Sequence, residues 1–186
     1  MLRHGRRAFL LAALLFSGVA AAQSAERCAP CHGPDGNSAT PGIPSIAAQP
    51  KVFLENLLIL VREGLRGSEA MKRVMKGMSD REIVALAEHY AKLPARAAPG
   101  KTDPALLERG RQAAAKYRCG SCHLPDFRGR EQIPRLAGQR EEYLYEVMHS
   151  FRDTPPPGSD TLMSAALYGV SDADIRAMAH FLARRR

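Results

Sequence analysis

Apolar residues recur at helical spacing in two stretches far apart: Ile83, Leu86, Ala87 and Tyr90, and again Ile175, Met178, Ala179 and Leu182. Spacings of three and four put each set on one side of a helix. Ser79 and Ser171 stand just before these runs, with Glu82 and Asp174 three residues on, in the spacing of a capping box. The pattern predicts helices over Ser79–Lys92 and Ser171–Arg184. Further helical runs are predicted over Val52–Glu63, Pro104–Arg118 and Arg140–Phe151. Gly64, Gly67 and the run Pro155-Pro156-Pro157-Gly158 mark loops that lead to Met71 and Met163. No stretch reads as a strand, so the expected fold class is all-α.

The capped helices belong to a longer repeat. Ile43-Pro44-Ser45-Ile46-Ala47-Ala48-Gln49 returns as Ile133-Pro134-Arg135-Leu136-Ala137-Gly138-Gln139, at an offset of 90 residues. Cys28-Ala29-Pro30-Cys31-His32 returns as Cys119-Gly120-Ser121-Cys122-His123 at an offset of 91. Met71 returns as Met163, and the Ser-Asp caps return, at 92. Landmarks that keep their order and spacing this closely define two copies of one unit. Leu93–Pro104, with three prolines and a glycine, reads as a linker. Division near Pro99 gives two tandem domains, residues 23–98 and 99–186.

Composition adds three points. The chain of 186 residues has no Trp, and aromatics are 6%. Units of roughly 80 residues with so few large side chains have thin cores, and such small units usually need a metal or cofactor. Arg3, Arg6 and Arg7 precede an apolar run from Ala8 to Val19, and Ala20-Ala21-Ala22 gives a small-residue cleavage site. This is the layout of a secretory signal over residues 1–22, cut after Ala22. The run is shorter than the ~18 residues of a spanning helix; the alternative is retention as an anchor. The periplasm is the expected location, with at most peripheral membrane association. The formal charge is +8; residues 23–186 keep 24 Lys and Arg against 19 Asp and Glu, a net +5. That mild excess can steer docking to acidic protein surfaces. Its dispersion along the chain, together with export, argues against nucleic acid.

All four cysteines fall in two Cys-x-x-Cys pairs, each followed by His: Cys28, Cys31 and His32, then Cys119, Cys122 and His123. This is the attachment signature of c-type haem. Two thiols on one helical turn can each add to a porphyrin vinyl group, and the adjacent His then coordinates the iron. A redox dithiol or a zinc pair competes for an isolated motif. A His after both pairs, and the long gap between them, favour two covalent haem c groups. A thioether is the usual sixth ligand of an electron-carrying haem. Met71 and Met163 each lie eight residues before a capping Ser, which selects them over Met75, Met78 and Met178. Met75 is the rival for the first iron. His89, His149 and His180 occupy no repeated position and read as packing or surface residues. Pro44 and Pro134, 12 and 11 residues after their His, can offer a carbonyl to its second ring nitrogen.

These motifs, with the segment Pro134–Gln139 and its copy Pro44–Gln49, resemble the two-domain class I c-type cytochromes, most closely the cytochrome c4 family. The resemblance covers the whole chain after the signal. It implies two all-α domains, each wrapped around one covalently bound haem with His and Met ligands. It implies an electron carrier, not an enzyme, between a quinol-oxidising bc1 complex or a dehydrogenase and a terminal oxidase. Relatives also serve as haem subunits of periplasmic dehydrogenases of the flavocytochrome c type, the alternative reading. A haem enzyme such as a peroxidase or thiosulfate oxidiser needs an open iron position, which the two methionines oppose. The sequence departs from the family in one place. Such a domain opens with a helix whose Gly and aromatic residue pack on its last helix. Gly110 and Tyr117 supply these in the second copy, with Phe181 as partner. In the first copy only Gln23–Arg27 separate Ala22 from Cys28, and Ala48 stands where the second has Gly138. The first haem is therefore expected to be less covered by its own domain, on a side completed by a partner or used for electron entry.

Overall fold

The structure, a computed structural model, describes residues 25–159 and 161–185. The predicted signal peptide lies outside the described residues. The first copy runs through a single helical turn α1 (Ala29–His32), then α2 (Lys51–Arg62), α3 (Glu69–Met75) and α4 (Asp80–Lys92). The second opens with α5 (Pro104–Lys116) and repeats the order as α6 (Gly120–His123), α7 (Glu141–Asp153), α8 (Thr161–Leu167) and α9 (Asp172–Ala183). Among the described residues there is no strand, only an isolated bridge between Arg130 and Ile133.

The long helices start where the caps predict. Ser79 and Glu82 form a complete capping box at α4. At α9, Ser171 accepts the Asp174 N–H at 3.2 Å, but no complete box forms, and the Asp174 carboxylate accepts from Arg109 and Tyr117 on the neighbouring α5 side. A cap of this kind is worth about 1 kcal/mol. The stretches predicted as loops toward Met71 and Met163 end in short helices, α3 and α8, which carry those residues. Ser68 caps α3 by accepting the Met71 N–H at 3.3 Å. Seven residues are too few for an apolar period to show.

The predicted apolar stripes are the core faces. Ile83, Leu86, Ala87 and Tyr90 meet Leu54, Val61, Met75 and Met78 in one buried cluster. Ile175, Met178, Ala179 and Leu182 meet Leu144, Met148, Leu167 and Val170 in the other. Burial of each large side chain contributes roughly 1.5–3 kcal/mol. In the second copy α9 packs on both α5 and α7. A Cβ on Gly110 would fall 2.0 Å from the Ala177 carbonyl oxygen and 2.6 Å from Phe181 Cβ, so only glycine lets α5 and α9 cross this closely. The Tyr117 hydroxyl donates to Asp174 at 3.0 Å beside that crossing. In the first copy α4 packs on α2, and among the described residues no helix crosses it as α5 crosses α9. Glu88 is exposed and His89 half-buried there, where α9 buries His180 and Phe181.

The linker is fastened at both ends. Asn37 donates to the Pro94 carbonyl at 3.0 Å and accepts the Arg96 N–H at 2.8 Å. Ala98 lies in the second core, and its N–H donates to Ala183 at 3.2 Å.

Candidate haem sites

Each Cys-x-x-Cys-His segment closes one turn that buries its His at the end. The carbonyl oxygen of Pro44 lies 2.8 Å from His32 Nδ1, and that of Pro134 lies 2.9 Å from His123 Nδ1. A carbonyl only accepts, so Nδ1 carries the proton and Nε2 keeps the lone pair. Among the described residues Nε2 of neither ring is hydrogen-bonded. Burial lowers both imidazole pKa values, and the proline carbonyls oppose this only in part. Both rings are therefore neutral, the form that binds a metal.

The two proline loops are held alike. The N–H groups of Ile46 and Ala47 donate to Gly36 at 2.8 and 3.0 Å; those of Leu136 and Ala137 donate to Phe127 at 2.8 and 3.0 Å. The next amide, Ala48 or Gly138, donates to Tyr90 or Leu182 on the last helix, each at 2.9 Å. Each carbonyl facing a His is thus tied to the Cys-His loop on one side and to the core helix on the other.

No disulfide joins the four cysteines. Cys28 and Cys119 are half-buried against the two cores, whereas Cys31 and Cys122 are exposed. Burial raises the pKa of the Cys28 thiol, partly offset by the Tyr90 hydroxyl, and burial likewise raises that of Cys119. A redox dithiol has its attacking thiol lowered instead. No cluster of three or more His, Cys, Asp or Glu side chains forms among the described residues, so the two thiol pairs do not build a zinc site.

Met71 on α3 and Met163 on α8 are partly buried against their cores. Met75 and Met78 are 1% and 3% exposed, at positions where the second copy buries Leu167 and Val170. Neither Leu nor Val can ligate a metal, so the repeat leaves Met71 and Met163 as the matched pair. Met178 is wholly buried. His180 has both nitrogens engaged: Nε2 accepts the Asp103 N–H at 3.0 Å, and Nδ1 lies 3.2 Å from Glu141. His149 lies against Asp153 and Asp172, and His89 stacks edge-on against Tyr90.

Sequence reasoning missed two sets of residues. Arg62 donates to the Met78 carbonyl and to Asp80; Arg152 donates to the Val170 carbonyl and to Asp172. These arginines tie together the two ends of the segments that carry α3 and α8 with their methionines, and their repetition at an offset of 90 was a readable signal. Arg140 is buried, yet its Nε and NH1 find no partner and only NH2 reaches Glu142, at 3.2 Å. No sequence signal marks it, because its counterpart in the first copy is Pro50. A buried guanidinium left this open is costly unless an anion meets it, and a porphyrin carboxylate is such an anion. Two neutral His rings, two thiol pairs and this arginine fit c-type haem.

The family model for cytochrome c matches residues 107–185. The chain is 30% identical over 172 residues to cytochrome c4 of Thiocapsa roseopersicina, across 83% of this chain and 85% of that protein. It is 30% identical over 178 residues to the thiosulfate dehydrogenase electron acceptor of Thiomonas intermedia (strain K12), across 90% of this chain and 82% of that one. Its fold is similar to that of reduced recombinant cytochrome c4 from Pseudomonas stutzeri, with a TM-score of 0.81, 24% identity, and coverage of 91% of this chain and 98% of that one. Fold and site together define a two-domain class I cytochrome with two covalently bound haem c groups, an electron-transfer protein and not an enzyme. The chain belongs to the cytochrome c4 family.

Proposed function

We propose that the chain is a periplasmic carrier that takes electrons from a quinol-oxidising bc1 complex or a dehydrogenase and delivers them to a terminal oxidase. In this reading Cys28 and Cys31 bind one haem and Cys119 and Cys122 the other. His32 and Met71 ligate the first iron; His123 and Met163 ligate the second. Residues 1–22 are the export signal, and the domains divide at Pro99. When bound, each haem supplies an iron that gains or loses one electron through the porphyrin edge. The chain's own residues fix how this happens. Pro44 and Pro134 hold the proton on Nδ1 and set each ring's orientation. Arg62 and Arg152 tie together the ends of the methionine-bearing segments, and the two cores keep water away.

The observation that carries the reading is the duplicated His–carbonyl pair, at 2.8 and 2.9 Å, in two copies of one helical unit. The test is the absorption band of a Met–iron bond in the purified holoprotein. The wild type is expected to show it for both haems, and Met71→Ala and Met163→Ala each to remove half of it. Loss in Met75→Ala but not in Met71→Ala would reassign the first ligand. Absence of the band from the wild type would replace the carrier by a haem enzyme.

A second reading rests on the likeness to the thiosulfate dehydrogenase electron acceptor of T. intermedia. In it the chain takes electrons from one dehydrogenase as its dedicated acceptor or bound haem subunit. Co-purification with a larger catalytic chain favours this reading; a protein isolated free of any such chain favours the mobile carrier.

A further inference from the structure

The two Gln residues that end the repeated segments, Gln49 and Gln139, are 4% and 5% exposed. Each reaches a backbone peptide of the other copy. Gln139 reaches across to Ser45: its Oε1 accepts the Ser45 N–H at 2.6 Å, and its Nε2 donates to the Ser45 carbonyl at 2.8 Å. Gln49 does the same to Arg135, with Oε1 accepting the N–H and Nε2 donating to the carbonyl, both at 2.9 Å. Ser45 and Arg135 directly follow Pro44 and Pro134. The peptide group that offers its carbonyl to a His therefore offers its N–H to a Gln of the other copy.

We infer that Gln49 and Gln139 are reciprocal positioning residues, each tuning the haem of the opposite domain through one shared peptide group. The inference rests on the assignment of His32 and His123 as iron ligands. Its chemistry is short. A peptide whose N–H is held by a strong acceptor carries more negative charge on its carbonyl oxygen, because hydrogen bonds in a chain polarise one another. The Pro44 carbonyl then pulls harder on the His32 Nδ1 proton. The imidazole becomes more basic at Nε2 and favours the oxidised metal, as outer partners of ligating His do generally. One peptide and one side chain link each ligand to the far domain, so either domain's displacement alters the other's ligand. The copies are not quite equal. Gln139 Oε1 also accepts the Arg140 N–H at 2.9 Å, whereas the matching residue in the first copy, Pro50, has no N–H to give.

The experiment is a redox titration of full-length holoprotein with each haem resolved by NMR, together with the Nδ1–H resonance of each ligand in the reduced state. Gln139→Met removes both bonds to Ser45, and the one from the Arg140 N–H, at near-constant volume. It is expected to raise the potential of the haem at Cys28–His32 and to move the His32 Nδ1–H resonance upfield. The electron partition between the haems should shift several-fold toward the first, and the His123 resonance should stay in place. Gln49→Met should give the mirror image. Gln139→Glu keeps and strengthens the acceptor, so it should lower the potential of the first haem more than that of the second, even if the Met variant folds poorly. Shifts confined to the haem of the mutated domain, equal shifts in both, or none would overturn the inference. Loss of the His/Met spectrum from the wild type would instead overturn the ligand assignment, so the two failures are distinct.

Discussion

Ala48 sits at φ +52°, where the second copy has Gly138 at φ +72°. An L-residue pays about 1–2 kcal/mol in this left-handed region. Both positions must adopt it, because each amide donates to the last helix at 2.9 Å and so fixes the loop facing the His. What differs is the space outside. A Cβ at Gly138 would lie 2.6 Å from the Arg96 carbonyl oxygen of the linker. Glycine is thus required in the second copy for two reasons, conformation and contact. Ala48→Gly is expected to raise the stability of the first domain by about 0.5–1 kcal/mol, the relief of strain being partly offset by extra entropy in the unfolded chain. Gly138→Ala should cost roughly 1–3 kcal/mol. Denaturant unfolding followed through each haem's absorption distinguishes the two, and equal effects at both sites would refute the linker argument. The Ala-for-Gly exchange was visible in the sequence. Its reason was not, because the carbonyl over Gly138 comes from a segment more than forty residues away.

Helices α2, α4, α5, α7 and α9 were legible because each has 12 or 13 residues, enough for the apolar period and the caps to agree. α3 and α8 were not, though they carry Met71 and Met163; their identity came from the repeat, and their helical form from packing on α2 and α7. Arg62 and Arg152 do the fastening between elements. Arg152 binds the Val170 carbonyl at 2.8 Å and Asp172 at 2.6 Å, joining the end of α7 to the start of α9. Beside it, hydrogen bonding to Arg152 holds the Asp153 pKa down at about 2, with help from His149. A folded-state pKa below the unfolded value means that the unfolded chain binds the proton more readily. The contribution of Asp153 is therefore complete above about pH 4 and is lost as pH falls through about 2. The group is exposed, so its effect is small. Asp153→Asn is expected to leave stability at neutral pH nearly unchanged and to flatten its fall between about pH 4 and 2. The measurement is the denaturation midpoint of the second domain against pH; parallel curves for the two proteins would remove Asp153 from the account.

At the scale of the molecule, the repeat made most of the architecture readable: two copies, two Cys-x-x-Cys-His turns, two methionines. It could not show that Gln49 and Gln139 exchange partners, since repetition says which residues are equivalent and not which copy they touch. Nor could it show the charge that a docking partner meets. Arg111, Arg118 and Arg185 rim an open cleft of about 470 Å³ beside Gly120 and Ser121, the two residues between Cys119 and Cys122. Arg111 is occupied by Glu108 at 2.6 Å, and Arg185 lies over the Phe181 ring at 5.6 Å. This leaves Arg118 and Arg185 as the charges best placed to meet an acidic surface next to the second Cys-x-x-Cys pair. Such charges act on encounter more than on the final complex. Raising ionic strength from about 10 to 150 mM shortens the screening length from ~30 to ~8 Å. The rate of electron exchange with an acidic redox protein should accordingly fall over that range. Arg118→Glu and Arg185→Glu should each slow it several-fold at low salt and converge on the wild type as salt rises. Stopped-flow measurement of the bimolecular rate provides the check. A rate independent of salt and unchanged by either substitution would place docking on another face, and the exposed side of α4 in the first domain, with Val84 42% exposed beside Glu88, would be the next to probe.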